Sequence, residues 1–149
     1  MKVYISSDHG GFNLKNLIFK YLRNKGYDII DLGPKELNPT DDFPIFTKPV
    51  AEEVSKDVNS KGIVICRNGV GVSIAANKID GIRCALSFNQ KHAASTRKDD
   101  DTNMLALPAD YLSHEDALRI IDTWLTTPFS QEERFERRIE EIKKLEKES

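Results

Sequence analysis

Cysteine is scarce in this chain. Cys66 and Cys84 are the only two in 149 residues, with no C-x-x-C pair and no Cys/His ligand spacing, which excludes a disulfide framework and a structural zinc site and leaves two free thiols. Long apolar runs are missing as well. The longest reach only a few residues, too short to span a bilayer, and the N-terminus lacks the charged-then-apolar layout of a signal peptide, so the expectation is a cytoplasmic protein with no membrane partner. Neither sign of charge dominates: 22 Lys and Arg against 24 Asp and Glu give a net charge of −2, which offers no general attraction to nucleic acid. No G-x-x-x-x-G-K-[ST] loop occurs. A dinucleotide fingerprint fits poorly, since its third glycine position is Ile74 and the motif follows the third strand instead of the first. Repeats and low-complexity tracts are likewise lacking.

The chain is 39% hydrophobic and 31% charged, the composition of one domain with a sizeable core, expected over 1–149. Its most informative stretch is 62–78. Ile63, Val64 and Ile65 form an unbroken β-branched run, the pattern of a parallel strand buried on both faces. Cys66 follows at the strand end, then Arg67-Asn68-Gly69-Val70-Gly71 leads into a small-residue helix. Ligands of open α/β sheets gather beyond the carboxyl ends of such strands, where helix N-termini present unpaired N–H groups.

Around this centre, strands are expected over 2–6, 27–32, 82–87 and 104–107. Phe12, Leu14, Leu17, Ile18, Tyr21 and Leu22 recur at helical spacing before a terminating Gly26. Asp41-Asp42 and Pro44 open a helix reaching about Val58, with Pro49 marking a kink or a later start. Further helices are expected over 89–97, ending in the cluster Asp99-Asp100-Asp101, and over 114–125. The segment 130–147 is highly charged but keeps an apolar stripe at Phe135, Ile139, Ile142 and Leu145. Strand-helix alternation of this kind implies right-handed crossovers, hence an α/β fold: a three-layer Rossmann-like domain on a mainly parallel, five-stranded sheet. The last helix either packs on its own sheet or reaches across to a partner subunit, and the second is the expectation.

Several residues have two readings. The glycines after Cys66 either let N–H groups converge on an anion or serve an ordinary turn. Cys66 is either a base or nucleophile, since a helix N-terminus favours a thiolate, or a small residue closing a strand. Cys84, within a strand, reads as core. Asp8-His9 ends the first strand and shares a rim with Cys66 if the two strands are parallel; alternatively Asp8 is a simple cap. Arg134 and Arg138, four apart, either grip a phosphate or stripe a solvated face among Glu132, Glu133 and Glu136. Lys98 to Asp101 is a hydrated loop, or two of its carboxylates enter a site.

The order of motifs resembles the ribose-5-phosphate isomerase B family, with the related galactose-6-phosphate isomerase subunits. It includes Ser7-Asp8-His9-Gly10-Gly11-Phe12 with Leu14-Lys15, Asp42-Phe43-Pro44, Gly62 to Cys66 with Gly69 and Gly71, and Ile74-Ala75-Ala76-Asn77-Lys78. It continues through Gly81-Ile82-Arg83, Thr102 to Ala106 and Arg134 to Ile139. The resemblance implies cofactor-free and metal-free aldose-ketose isomerisation of a sugar phosphate through a cis-enediolate, in sites shared by two subunits of a homodimer or tetramer. By it, Cys66 is the base, the backbone of Arg67, Asn68, Gly69, Val70 and Gly71 holds the enediolate, and Asp8 meets sugar hydroxyls or assists ring opening. His9, Arg134 and Arg138 hold the phosphate. Ribose 5-phosphate is the leading substrate, with a six-carbon sugar phosphate, or binding without catalysis, as alternatives. The chain departs from the family in five respects. Arg67-Asn68 replaces Gly-Thr. Asp99 and Asp100 replace the ring-opening histidine and the asparagine after it. Asp110 replaces a phosphate-binding arginine, Phe43 a tyrosine, and Phe135 a histidine. The resemblance therefore assigns proton transfer during ring opening to Asp99, places Asp100 against the substrate, and leaves Arg67 to restore the lost positive charge.

Overall fold

Alternation along the central strands decides the architecture. A computed structural model describes residues 1–148. It contains β1 (Lys2–Ser7), α1 (Phe12–Asn24), β2 (Asp28–Asp31), α2 (Phe43–Lys56), β3 (Lys61–Cys66), α3 (Val70–Ala76), β4 (Cys84–Leu86), α4 (Gln90–Asp100), β5 (Met104–Pro108), α5 (His114–Thr126) and α6 (Glu133–Glu148). Successive strand residues face opposite sides of a sheet. Val3, Ile5, Ile63, Ile65, Leu105 and Leu107 pack with Ile18 of α1, Ala93 of α4 and Trp124 of α5. Tyr4, Val64, Cys66, Met104 and Ala106 pack instead with Val50 of α2 and Val72 of α3. Two apolar layers thus enclose one sheet, the expected three-layer α/β arrangement.

The sheet has five strands in the order β2-β1-β3-β5-β4, and every pairing is parallel. All carboxyl ends therefore lie along one edge, with β3 at the centre. Register places Ser7 beside Ile65 and Pro108 beside Cys66, so the turns after β1, β3 and β5 share that rim.

Three boundaries differ from the sequence reading. Pro49 lies inside α2 and does not mark a later start; the carbonyl it leaves without an intrahelical donor belongs to Ile45, an exposed residue. Strand β4 is shorter than 82–87. The Asn77 amide bonds both backbone groups of Cys84, at 2.8 and 3.0 Å, and Asn103 Oδ1 accepts from the Arg83 N–H; side chains replace ladder bonds there. Helix α4 runs on to Asp100, so the acidic run is not a hydrated loop. Asp101 ends the helix at φ +45°. Arg97 Nη1 binds its carboxylate at 2.8 Å, and Arg83 donates to its carbonyl. Two arginines brought together by the fold thus compensate for three consecutive acids. A buried cation, Lys15, ties α1 to the end of β2 through Asp31 at 2.6 Å and the Pro34 carbonyl at 3.0 Å.

Helix α6 packs on the domain through the buried Ile139, and Glu146 accepts from the Gly81 N–H. Ile142 and Leu145 stay exposed on the wall of a groove of about 610 Å³ that also includes Cys84. Cys84 packs against the second apolar layer as expected, and burial pushes its thiol well above the ordinary range. Among the described residues no helix is long and apolar enough to cross a membrane.

Candidate active site

The turn after β1 lies directly on the end of β3. Asp8 is buried and its Oδ1 accepts from the Gly11 N–H at 3.2 Å, closing a short 3-10 turn over His9–Gly11. A Cβ built on Gly11 would lie 2.7 Å from the Ile65 carbonyl oxygen, and one on Gly10 would lie 2.4 Å from Arg67 Cγ. Only glycine allows so close an approach. The Asp8 N–H reaches the same Ile65 carbonyl at 3.4 Å.

Cys66 is buried at the head of the next turn, its Sγ 3.8 Å from Asn68 Oδ1. That oxygen also accepts from the Val70 N–H at 3.0 Å, and Gly69 turns the chain into α3 at φ +74°. The Val70 amide is therefore already engaged, while helix geometry leaves its first-turn neighbours, including Gly71, without an intrahelical acceptor. Gly71 lets the Phe43 ring close over the site, since a Cβ there would meet the ring at 2.6 Å. Asp8, His9, Phe43, Cys66 and the Arg67-Asn68 turn line one cavity of about 280 Å³.

Arg67 is exposed and pairs with Asp110 at 3.5 Å, and its carbonyl accepts from the Asp110 N–H at 2.9 Å. On the other side, Asp41 Oδ1 accepts from both the backbone N–H and Nδ1 of His9, at 2.9 and 2.8 Å. Ligand-capable atoms of Asp8, His9 and Asp41 lie within 4.8 Å of one another; Asp8 Oδ1 accepts from Gly11 and Asp41 Oδ1 from His9, while Asp41 Oδ2 has no partner. The sequence reading did not place Asp41 in contact with the site, nor pair Arg67 with Asp110. Asp41 had read only as part of a helix entry.

Four candidates lie elsewhere on this chain. Asp99 and Asp100 end α4, just before β5 begins, and the Gly62 N–H bonds to the Asn103 carbonyl at that level. Cys66 is four residues further along β3, about 13 Å at ordinary strand rise. Burial and the neighbouring Asp99 charge push the Asp100 carboxyl up, and Arg138 opposes them. Arg134 pairs with Glu132 at 2.8 Å and stacks on Phe135, which Arg138 also approaches. The candidate residues thus fall into two groups. One, around Cys66, occupies the carboxyl edge of the sheet; the other, with Asp99, Asp100, Arg134 and Arg138, lies toward the opposite edge.

A model of the Ribose/Galactose Isomerase family matches residues 3–142. A probable ribose-5-phosphate isomerase B of Mycoplasma pneumoniae is 43% identical over 127 residues, 85% of this chain and 84% of that protein. The crystal structure of ribose-5-phosphate isomerase B from Mycoplasma genitalium, with bound ribulose 5-phosphate, is similar with a TM-score of 0.96 at 38% identity, over 99% of this chain and 97% of that one. Ribose-5-phosphate isomerase B of Clostridium thermocellum gives 0.95 at 43% identity, with 99% of each chain covered.

Because Gly11 has no room for a methyl group, Gly11→Ala is expected to destabilise the fold by about 2 kcal/mol, as overpacking does. A urea unfolding midpoint equal to that of the parent protein would count against the close docking of the two turns.

Proposed function

The chain belongs to the ribose/galactose isomerase family, and on that footing we infer that it is a ribose-5-phosphate isomerase, interconverting ribose 5-phosphate and ribulose 5-phosphate. The observation that carries the chemistry is Cys66 on the same cavity as Asp8 and His9. Aldose-ketose isomerisation needs a base beside the carbon next to a carbonyl, and donors for the charge that develops on oxygen. The Cys66 thiolate takes the proton from C2 of the open-chain aldose, the electron pair moves onto the C1 oxygen, the hydroxyl proton of O2 passes to O1, and the enediolate is held by N–H groups of the 67–71 turn. The same sulfur returns the proton to C1, and the ketose forms with no net change in redox state. Asp8 orients the sugar hydroxyls, and His9 meets the phosphate.

The second half of the site comes from another copy of the chain. Two observations support this: the separation of Cys66 from Asp99 and Asp100 along the sheet, and the exposed apolar residues on both would-be faces. Val70 and Ile74 on α3 are uncovered beside the cysteine, as are Ile142 and Leu145 on α6. Pairing two copies buries these patches and brings Arg134 and Arg138 of one to the phosphate bound by the other. Asp99 arrives with them and serves proton transfer during ring opening, with Asp100 beside it. Arg67, aimed by Asp110, adds a cation at the rim.

Cys66→Ala should abolish exchange of the substrate C2 proton with solvent deuterium, while ribose 5-phosphate still raises the thermal midpoint; exchange at the parent rate would remove Cys66 as the base. Arg67→Gly should raise KM roughly fivefold with kcat little altered, as loss of uniform binding does, and an unchanged KM would remove Arg67 from phosphate binding. A mixture of refolded Cys66→Ala and Arg138→Ala chains should recover about one quarter of parent activity, because random dimers leave one intact site in every hybrid. No recovery would place both residues in the same subunit's site.

A further inference from the structure

His9 is held by a carboxylate that does nothing else. The Asp41 side chain is 5% exposed, and both hydrogen bonds made by its Oδ1 run to His9, one to the backbone and one to Nδ1. Its other oxygen, Oδ2, is buried with no hydrogen-bonding partner. A carboxylate desolvated to this degree, 32 residues away in sequence, needs a reason to be there. Capping is not that reason: Asp42 is the residue at the N-cap of α2. The loop carrying Asp41 is braced separately, since Asn38 Oδ1 accepts from both the Thr40 N–H and its hydroxyl, and the Asn38 carbonyl accepts from the Asp41 N–H.

We propose that Asp41 is a positioning residue for substrate binding: it fixes the His9 imidazole by its Nδ1 edge, so that Nε2 is presented to the phosphate of the sugar. This rests on the isomerase reading above and adds a residue to it. An imidazole that donates Nδ1–H to a carboxylate is restricted in tautomer and in ring rotation, and its opposite nitrogen is left to face the ligand, where it shares a proton with a phosphate oxygen in a charge-assisted hydrogen bond. Asp8, Cys66 and Arg67 are the other ionisable groups around that cavity. None of them is bonded to the His9 ring in the structure, so its orientation depends on Asp41. The unpartnered oxygen follows from the same role, because one oxygen suffices for both His9 N–H groups.

The test uses the full-length enzyme with ribose 5-phosphate as substrate and inorganic phosphate as competitive inhibitor. Asp41→Ala should raise KM and the phosphate inhibition constant together, by about tenfold, with a smaller fall in kcat. Asp41→Asn keeps an oxygen acceptor and should restore most of the affinity. In a double-mutant cycle, Asp41→Ala should have no further effect once His9 is alanine, because a residue acting through another is silent without it. Additive effects, or a KM equal to that of the parent, would overturn the proposal. Should Asp41→Ala fail to fold, nitrogen NMR of the His9 ring in the parent protein decides the matter: a proton on Nδ1 of the neutral ring supports the assignment, and one on Nε2 overturns it. That spectrum does not depend on turnover. A parent enzyme that neither binds nor converts ribose 5-phosphate would instead sink the isomerase reading.

Discussion

The contact on which the site depends is between two backbones. The first turn of the chain packs against the carbonyl of Ile65 so closely that Gly11 cannot carry a side chain, and this places a buried acid and an imidazole on the same cavity as a thiol from a strand almost sixty positions later. Parallel strands make the meeting possible, since β1 and β3 end level with one another. Absence of a Cβ makes it close. The interactions of His9 and Asp8 depend on that approach, because their partners are set by where the turn lies. It is an economical way to build a site, in which steric room is reserved by omission and the polar groups follow.

The periodic features of the fold were legible in the sequence. Val3, Ile5, Ile63 and Ile65 alternate, α1 repeats at three and four, and the rim joining Asp8 and His9 to Cys66 follows once the strands run the same way. What escaped the sequence was decided by residues distant from the segment concerned. The acids at 99–101 read as a loop because the arginines that hold the helix end come from outside the run as well as from within it: Arg83 precedes the helix, and Arg97 is one turn back. Asp41 read as a helix entry, since nothing local announces a partner in the first turn of the chain. Arg67 and Asp110 meet only because β5 inserts beside β3. In each case the missing information was tertiary pairing of charge, which propensity and periodicity do not encode.

The charges around the cavity also account for how this chain can depart from the family pattern at several positions and remain coherent. A cation stands at position 67 and an anion at position 110, and the two face each other. The side chains lie at the solvent boundary, where their attraction is modest. Burial and the neighbouring Asp99 push the Asp100 carboxyl up, and the Arg138 charge opposes them. In the proposed assembly these groups converge on one ligand, so their signs are best read as a set spanning two chains.

The strand order has a consequence for biosynthesis. Because β5 inserts between β3 and β4, a chain emerging from the ribosome presents the Ile63-Val64-Ile65 segment as an uncovered border until residues 104–108 have been made. During that interval a β-branched, uncharged ribbon is open to intermolecular pairing, the kind of hazard that chaperones intercept. The cysteine that ends this ribbon lies beside Pro108, so it acquires its full surroundings only when translation has passed the fifth strand.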